Sequence, residues 1–459
     1  MAGLDPAISC RSLDAGRDRS EATARDGRVK PGHDGVAMTR VVRPEELDLR
    51  EFVRPGDQIV WGEAAAEPQT LTEALVAQRA GLGGVSVFFA AGFSDTLQPE
   101  HADHIRMVGI GGIGTLRRLT RAQVVEIIPC HVGQVLGYIE TGAVRCDVAF
   151  VQVSPAGPDG RHSYGVTGDF IPTAVERARV VIAEVNDQVP YTFGDAALAA
   201  ERIDVLVPTS RPVVEVPSRV GAVERAIAGH AAAFIGDGAT LQMGVGAIPD
   251  AVLQALRDRR DLGVHTGIVS DVLVDLVEAG AVTNARKPID QGVSITGALA
   301  GTKRLYDFAH MNRAVGIRNS LYTHGDAVLS RIPNLVTVNS AIEVDLTGQV
   351  GAEHTAEEYL GGIGGQADYM RIGQRAPRGH AILALPATVR SGGGRIVGRL
   401  SGSVTTPRAD VDVIVTEFGA AELRAQPIRE RARRLIAIAH PDHRERLERE
   451  AHGLFKRGF

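Results

Sequence analysis

Two stretches of this chain share one pattern: "GDQIVWGEAAAEPQTLTEAL" at residues 56–75 and "GATLQMGVGAIPDAVLQAL" at residues 238–256. With one residue of slippage, the matched positions are Gly56 with Gly238, Gly62 with Gly244, Pro68 with Pro249, and Leu75 with Leu256. Each stretch predicts a strand, a loop of small residues, a proline suited to the first helical turn, and a helix. Chance similarity between two generic βα units is the alternative to an internal duplication. We interpret the pattern as a duplication that gives two halves facing each other.

Short apolar runs alternate with amphipathic helical stretches from Val53 onward, on both sides of these two stretches. The strand candidates are "DQIVWG", "VSVFFA", "VEIIP", "DVAFVQV", "RVVIAEV", "TLQMG", "HAILALPA" and "DVDVIVTEF". Apolar runs of this length, separated by helices, predict mostly parallel sheets that are covered on both faces. The predicted fold class is therefore α/β. Because 459 residues exceed one ordinary core, we predict two related domains, at residues 38–220 and 221–459.

Composition excludes several classes of function. A formal charge of -5 gives no reason to expect nucleic acid or an anionic membrane as a partner. Aromatic residues are only 4% of the chain, too few for a platform that stacks bases. No apolar run reaches the roughly 18 residues that a membrane span needs. The three cysteines have no metal-ligand spacing, so we expect no metal site and a reducing cytoplasm.

The first 37 residues differ from the rest of the sequence. They are rich in Arg, Asp, Gly and Ser, and they lack the apolar segment of a signal peptide. We predict that they form a disordered tail, or that they result from an over-long start assignment, with Met38 as the true beginning. An arginine-rich transit peptide is the alternative, and the scattered acidic residues argue against it.

Two glycine loops and one polar cluster are candidate functional segments. "QMGVGAIPDAV" offers backbone N–H groups in a tight turn before a helix, which can hold a phosphate or a developing oxyanion. "GGIGGQADY", residues 361–369, removes side chains where a ligand could lie against the backbone. An unoccupied turn and a flexible surface loop are the respective alternatives. In "VIAEVNDQVPYTFGD", Glu184 and Asn186 follow an apolar strand, and we predict a structural hydrogen-bond network there.

Six segments occur in a fixed order along the chain: "IAEVNDQVP", "TLQMGVGAIPDAVLQAL", "TKRLYDFA", "GGIGGQADYMR", "VTTPRADVDVIVTEFGAAEL" and "RARRLIAIAHPDHRERL". Together they resemble the acetyl-CoA hydrolase/transferase family, and within it the 4-hydroxybutyrate CoA-transferase type. The resemblance covers about Val53 to Glu450. It implies two α/β domains with the active site at their interface, and a homodimer or higher homo-oligomer in the cytoplasm.

The resemblance also implies how the chain would use coenzyme A, which is a substrate here and not a permanently bound cofactor. The residues expected to hold CoA are Gly244, Val245, Gly246, Ala247, Ile248, Gly364, Gly365 and Gln366. In the family, a glutamate attacks the acyl-CoA carbonyl and gives a mixed anhydride, which the CoA thiolate converts to a glutamyl-CoA thioester. A second small carboxylic acid then takes up the CoA by the reverse steps.

The segment "DLGVHTGIVSD", residues 261–271, carries the family's nucleophile position. His265 and Thr266 match the pattern, but the third position, where the family has its glutamate, is Gly267. Three explanations compete. A carboxylate from the other half reaches the cleft, with Glu63 as the main candidate and Asp95 and Glu100 as weaker ones. Alternatively, a water activated by His265 or Glu63 makes the protein a hydrolase, or the protein binds acyl-CoA without turning it over.

His265 and Glu63 are therefore the candidate catalytic residues. The alternative for His265 is a hydrogen-bonded histidine that shapes the strand end. The alternative for Glu63 is a solvated carboxylate at a domain edge.

Overall fold

The computed structural model describes residues 39–455, which belong to one compact unit. The predictions for the first 37 residues lie outside the described residues. The strands are β1 (Arg40–Val41), β2 (Gln58–Trp61), β3 (Val85–Gly92), β4 (Ile105–Gly114), β5 (Val125–Ile127), β6 (Val148–Val153), β7 (Val180–Asn186), β8 (Phe193–Gly194), β9 (Val205–Thr209), β10 (Thr240–Met243), β11 (Gly263–Val264), β12 (Ile268–Val269), β13 (Ser294–Thr296), β14 (Ala298–Leu299), β15 (Val315–Ile317), β16 (Leu335–Ser340), β17 (Glu343–Asp345), β18 (Val350–Gly351), β19 (His380–Ala384), β20 (Ile396–Val397), β21 (Val413–Thr416) and β22 (Gly419–Glu422).

The helices connect most of these strands. They are α1 (Gln69–Gln78), α2 (Arg117–Arg121), α3 (Val132–Thr141), α4 (Ile171–Arg177), α5 (Ala222–Ala231), α6 (Ala247–Gln254), α7 (Val272–Glu278), α8 (Lys303–Ala309), α9 (Ser320–Thr323), α10 (Asp326–Leu329), α11 (Gln366–Arg375), α12 (Ile428–Ala437) and α13 (Pro441–Leu454). Short 3₁₀ turns cover Pro44–Glu46, Leu49–Glu51, Arg79–Gly81, Pro99–Asp103, Ala200–Arg202 and Ala232–Phe234. Within residues 39–455, no helix is long and apolar enough to cross a membrane.

The first sheet has the order β1-β9-β7-β6-β2-β3-β4-β5, and each neighbouring pair is parallel. Side chains of a strand alternate between faces. In β2, Ile59 and Trp61 therefore pack with the Leu71 side chain of α1, whereas Val60 packs with the opposite cluster beneath α3 and α4. Ile59 is fully buried, which contributes roughly 1.5–3 kcal/mol to folding.

The second sheet has the order β11-β10-β16-β19-β21-β22, and it is parallel except for the β21–β22 pair. It also has two buried faces, because Ile382 of β19 belongs to one apolar cluster and Leu383 to another. The α/β class with mostly parallel sheets is confirmed. The boundary at residues 220 and 221 stays a prediction.

The two matched stretches have the same local build. In each, a glycine in the left-handed region precedes the strand, with φ of 78° at Gly56 and 74° at Gly238. The strands β2 and β10 lie inside their sheets, each between two parallel neighbours. The prolines differ: Pro68 directly precedes α1, whereas Pro249 lies in the first turn of α6.

The two halves are joined by backbone hydrogen bonds between segments 166–168 and 297–299. The Gly168 amide donates to the carbonyl oxygen of Gly297 at 2.9 Å, and the Leu299 amide donates to that of Val166 at 2.8 Å. One apolar cluster includes Ala66 of the first stretch together with Leu299. The halves therefore share a core, and residues of both line a pocket that includes Asp169 and Asn319.

The predicted hydrogen-bond network is present, but Glu184 and Asn186 lie at the end of β7 and not after it. Both Glu184 oxygens accept hydrogen bonds at the start of α1, from the Thr70 amide at 2.9 Å and the Thr70 hydroxyl at 3.0 Å. The Asn186 amide donates to the carbonyl oxygen of Arg211 at 2.9 Å. These bonds fix the β2–α1 loop against the neighbouring strand ends.

Candidate active site

Gly267 lies at the junction of the two sheets and has no space for a side chain. Its carbonyl oxygen accepts hydrogen bonds from the amides of Gly297 and Ala298 at 3.0 and 2.9 Å. A Cβ atom on Gly267 would lie 2.7 Å from Cε1 and 2.8 Å from Nε2 of His324, and 3.4 Å from the hydroxyl of Tyr369. The imidazole of His324 thus fills the space in which a side chain at position 267 would begin. The hydrolase hypothesis requires space for a water molecule. Because His324 fills the space next to Gly267, that water cannot lie at Gly267 itself.

The first glycine loop is fixed to the same segment by Thr266. The buried Thr266 hydroxyl donates to the carbonyl oxygen of Met243 at 2.8 Å and accepts from the Met243 amide at 3.2 Å. Met243 ends β10, and residues 244–248 follow directly, with φ of 121° at Gly246. No described residue accepts a hydrogen bond from the amides of residues 245–248. Free amides at a helix start attract phosphate, carboxylate or oxyanion oxygens.

The second glycine loop crosses from the second sheet to the first. The Gly112 amide of β4 donates to the carbonyl oxygen of Gly361 at 2.7 Å, and a Cβ on Gly111 would lie 2.6 Å from that oxygen. The loop enters α11 through Gly364, with φ of 58°, and Gly365. At the start of α11, Gln366 is buried, and its amide nitrogen donates to the Thr406 hydroxyl at 2.9 Å. Glycines are required here because backbones from both halves approach closely.

The ring of His324 connects the two segments. It lies against Gly267 on one side, and a Cβ on Gly365 would overlap its Nε2 atom on the other. Tyr369 of α11 packs against the ring with centroids 4.7 Å apart. Gly267 and the second glycine loop are therefore separated by only this imidazole.

Glu63 is half-buried at the end of β2, in a strained loop. The next residue, Ala64, has φ of 58°, an unusual value for a residue other than glycine. Two backbone bonds hold this turn: the Ala64 amide donates to the Ala91 carbonyl oxygen at 2.9 Å, and the Ala66 amide donates to that of Glu63 at 3.0 Å. These bonds therefore fix the backbone of the loop at Glu63.

Glu63 faces a second carboxyl group, Asp169, which is 2% exposed. No described residue donates a hydrogen bond to either Asp169 oxygen. Burial, followed by the charge of the nearby Glu63, raises the pKa of Asp169 well above its ordinary value. A buried carboxyl group beside a second one is favoured in its neutral, protonated form.

The carboxyl pair adjoins the segment that contains Gly267. A Cβ on Gly297 would overlap Oδ1 of Asp169 and would lie 2.9 Å from the carbonyl oxygen of Gly267. Asp169 also lines a small pocket of about 50 Å³ that includes Thr173 and Asn319. Asp169 of the first half thus lies beside the segment that contains Gly267.

His265 is fully buried beneath the cleft. Its Nε2 atom lies 3.3 Å from the carbonyl oxygen of Tyr322, and its Nδ1 atom has no partner among the described residues. Burial, together with the charge of Lys287, lowers the pKa of His265 to about 4. A sealed, neutral ring fits the alternative in which this histidine shapes the strand end.

Buried polar atoms without a partner are concentrated around this cleft. Within residues 39–455 they include atoms of His131, Thr167, Asp169, His265, Ser320 and Asp368. Burial raises the pKa of the Asp368 carboxyl to about 6, although His131 opposes the shift. Native proteins leave few buried polar atoms unsatisfied, so a ligand or water is expected here. No group of three or more His, Cys, Asp or Glu among these residues is arranged to hold a metal ion.

Comparison with known proteins identifies the family. Residues 38–217 match the acetyl-CoA hydrolase/transferase N-terminal domain, and residues 301–451 match the C-terminal domain. The chain belongs to the acetyl-CoA hydrolase/transferase family. The 4-hydroxybutyrate coenzyme A transferase of Clostridium kluyveri is 37% identical to it over 408 residues, which are 88% of this chain and 94% of that protein. Family members named acetyl-CoA hydrolase match less than half of the chain, at 28–29% identity.

Solved structures of the acetyl-CoA hydrolase/transferase fold cover nearly the whole chain. RipA from Yersinia pestis aligns with a TM-score of 0.84 at 32% identity, over 90% of this chain and 97% of that one. A 4-hydroxybutyrate CoA-transferase from Porphyromonas gingivalis aligns with a TM-score of 0.78 at 34% identity, over 91% and 98%. Both comparisons support an α/β fold with two domains.

In this family member, the structure brings together some of the sequence-predicted site residues. The loop of residues 244–248 adjoins Thr266, and Gly365 approaches Gly267 from across the His324 ring. Glu63 lies next to Asp169, whereas His265 is fully buried. Sequence reasoning missed Asp169 and His324, since each is distant in sequence from the segment it contacts.

Proposed function

We propose that the protein is an acyl-CoA:carboxylate CoA-transferase in which Glu63 replaces the nucleophile that is absent at Gly267. The observation that carries this proposal is the Glu63–Asp169 carboxyl pair beside Gly267. Relatives that span most of the chain are named as CoA-transferases, which supports the same reaction class. Small carboxylic acids are the expected acceptors. Acetate, 4-hydroxybutyrate, succinate and itaconate are the first to assay.

The pair explains which carboxyl group reacts. Asp169 is the more buried member and is the one that stays protonated, because an isolated buried charge is costly. Glu63 is only half-buried, so we assign its carboxyl group as the nucleophile. Its carboxylate oxygen attacks the thioester carbonyl carbon, the C–S bond breaks, and the CoA thiolate leaves with the electron pair. The thiolate then attacks the Glu63 carbonyl carbon of the anhydride, and the first acid leaves as a carboxylate.

The free amides of residues 245–248 suit the oxyanion that forms in each of these steps. Transfer to the second acid reverses the sequence, so the thioester's free energy is kept. Asp169 exchanges no proton in the net reaction. It orients Glu63 and limits the charge at the pair.

The test uses 4-hydroxybutyryl-CoA with and without acetate, and products are measured by liquid chromatography and mass spectrometry. We expect acetyl-CoA to form only when acetate is present. Glu63→Gln should lower the rate by more than 10³-fold, since the amide is a poor nucleophile. Glu140→Gln, at an exposed position of α3, is the matched control and should keep the wild-type rate. Thiol release without an acceptor would indicate a hydrolase instead.

The covalent intermediate identifies the nucleophile directly. After incubation with acyl-CoA alone, trypsin separates Glu63 from Asp169, which lies on the peptide of residues 162–177. We expect the CoA adduct on the peptide that contains Glu63, with fragmentation assigning it to that residue. An adduct on residues 162–177 would assign the reaction to Asp169, and unchanged turnover of Glu63→Gln would remove Glu63 from the mechanism.

A further inference from the structure

The position of His324 is unusual for a histidine with a purely structural role. Its Nε2 atom lies between Gly267 and Gly365, at positions where a β carbon on either glycine would collide with it. One of these glycines replaces the family's reacting residue, and the other belongs to a loop expected to hold CoA. The Nε2 atom therefore lies between the segment of Gly267 and a loop that is expected to hold CoA.

The hydrogen bonds of His324 determine which nitrogen carries the proton. The Thr323 hydroxyl oxygen is 2.9 Å from Nδ1 of His324 and 3.2 Å from the carbonyl oxygen of Asn319. If this hydroxyl donates along the shorter contact, Nδ1 is the acceptor and the ring proton is on Nε2; if it donates to Asn319, Nδ1–H donates to the hydroxyl and Nε2 carries no proton. The contacts of Thr323 thus allow the Nε2–H tautomer, and the labelling experiment below decides between the two. No described residue accepts a hydrogen bond from Nε2.

The surroundings of His324 keep the ring neutral. The side chain is 6% exposed, and burial together with neighbouring His265 lowers its pKa to about 3. Asp368 and Tyr369 of α11 are the other titratable groups that face it. A neutral imidazole can donate a hydrogen bond to a developing oxyanion without giving up its proton, whereas a ring with this low basicity is a poor general base.

We propose that the Nε2–H group of His324 donates a hydrogen bond to the carbonyl oxygen of the acyl thioester and to the oxyanion formed on attack. This role rests on the proposed CoA-transferase function. No covalent bond to His324 forms or breaks, and the ring stays neutral throughout. Loss of one such donor typically lowers kcat by about 10²–10³-fold. His324 would then be a catalytic residue of this chain.

Two substitutions separate the hydrogen bond from the packing of the ring. His324→Phe keeps an aromatic ring between the two glycines and removes both nitrogens, and we expect a fall in kcat of about 10²–10³-fold. His324→Gln keeps an N–H donor, and we expect it to retain a rate at least ten times that of the Phe variant. Equal rates for wild type and His324→Phe would overturn the proposal, as would an acyl adduct on His324 itself.

A binding experiment tests the same contact without turnover. In ¹⁵N-histidine-labelled full-length protein, the His324 signals, assigned through His324→Gln, should show a proton on Nε2. They should shift with S-acetonyl-CoA, which has a carbonyl group, and not with S-propyl-CoA, which lacks one. An unprotonated Nε2 or identical shifts with both ligands would overturn the role of His324. Absence of CoA transfer by the wild type would instead overturn the proposed function, and the two failures are thus distinguishable.

Discussion

The contact between Gly267 and His324 gives a quantitative prediction for Gly267→Ala. The added Cβ would lie 2.7 and 2.8 Å from two ring atoms of His324, whereas carbon atoms pack at about 3.5–4.0 Å. The ring would have to move by nearly 1 Å, but Gly365 closes the opposite side and Thr323 holds Nδ1. Overpacking of this kind costs about 1–3 kcal/mol, so we expect Gly267→Ala to lower the free energy of unfolding by about 2 kcal/mol.

The cause of this loss is tested by a double-mutant cycle. In a His324→Ala background the ring is gone, and Gly267→Ala should then change the free energy of unfolding by less than about 0.5 kcal/mol. The coupling free energy between the two sites is therefore expected to be about 1–3 kcal/mol, within the range for residues in contact. It is measured from urea unfolding, followed by circular dichroism and by the fluorescence of Trp61, the chain's single tryptophan.

A glycine-to-alanine substitution elsewhere in the chain controls for the change in backbone entropy that any such substitution causes. A Cβ on Gly137, in helix α3, would meet nothing within 4 Å. Gly137→Ala should therefore stabilise the protein by about 0.5–1 kcal/mol. The steric explanation is wrong if Gly267→Ala lowers the free energy of unfolding equally with and without the His324 ring. It is also wrong if the substitution leaves that free energy unchanged in both backgrounds.

Three further changes test other parts of the site. Because the pKa of Asp169 is raised on folding, the folded protein binds the proton more tightly, and its stability falls as pH rises from about 4 through the raised pKa. Asp169→Asn should therefore gain stability relative to wild type between pH 5 and 8, as measured by urea unfolding at each pH. Thr266→Val removes both bonds to Met243 and should cost about 1–3 kcal/mol, with weaker CoA binding by calorimetry. In Gly111→Ala, the added Cβ would collide with the Gly361 carbonyl oxygen of the second glycine loop. The Kd for CoA should therefore rise by at least about 10-fold, and an unchanged affinity would contradict this expectation.

Strand positions were largely predictable from the sequence because buried parallel strands are continuous apolar runs. The runs that became β2, β3, β6 and β7 illustrate this. Strand β4, "IRMVGIGGIG", was missed because its glycines have low strand propensity. Tertiary contacts explain those glycines: a Cβ on Gly109 would lie 2.6 Å from the ring of Phe89, and Gly111 faces the second glycine loop. Contacts of this kind are absent from local sequence patterns.

The candidate site was predictable only in part, for a similar reason. The family pattern located Gly267 and both glycine loops, since each is a contiguous motif. It selected His265, the histidine adjacent in sequence, although His324 is the one that contacts Gly267. Asp169, in "GVTGDF", resembles an ordinary loop aspartate until burial and the lack of donors are visible. The chemistry of a cleft between two halves depends on residues that only the fold brings together.

The ring of His324 and a side chain at position 267 exclude each other. A ring at position 324 fits only if position 267 carries no side chain, and a side chain at 267 fits only if the ring is absent. Placing both at this buried junction would produce a collision, which costs free energy. Position 267 itself therefore supplies no carboxylate, but the carboxyl group of Asp169 lies beside the same segment and next to Glu63. A transferase can work with this arrangement if Glu63 supplies the nucleophile and the imidazole supplies a hydrogen-bond donor to the oxyanion.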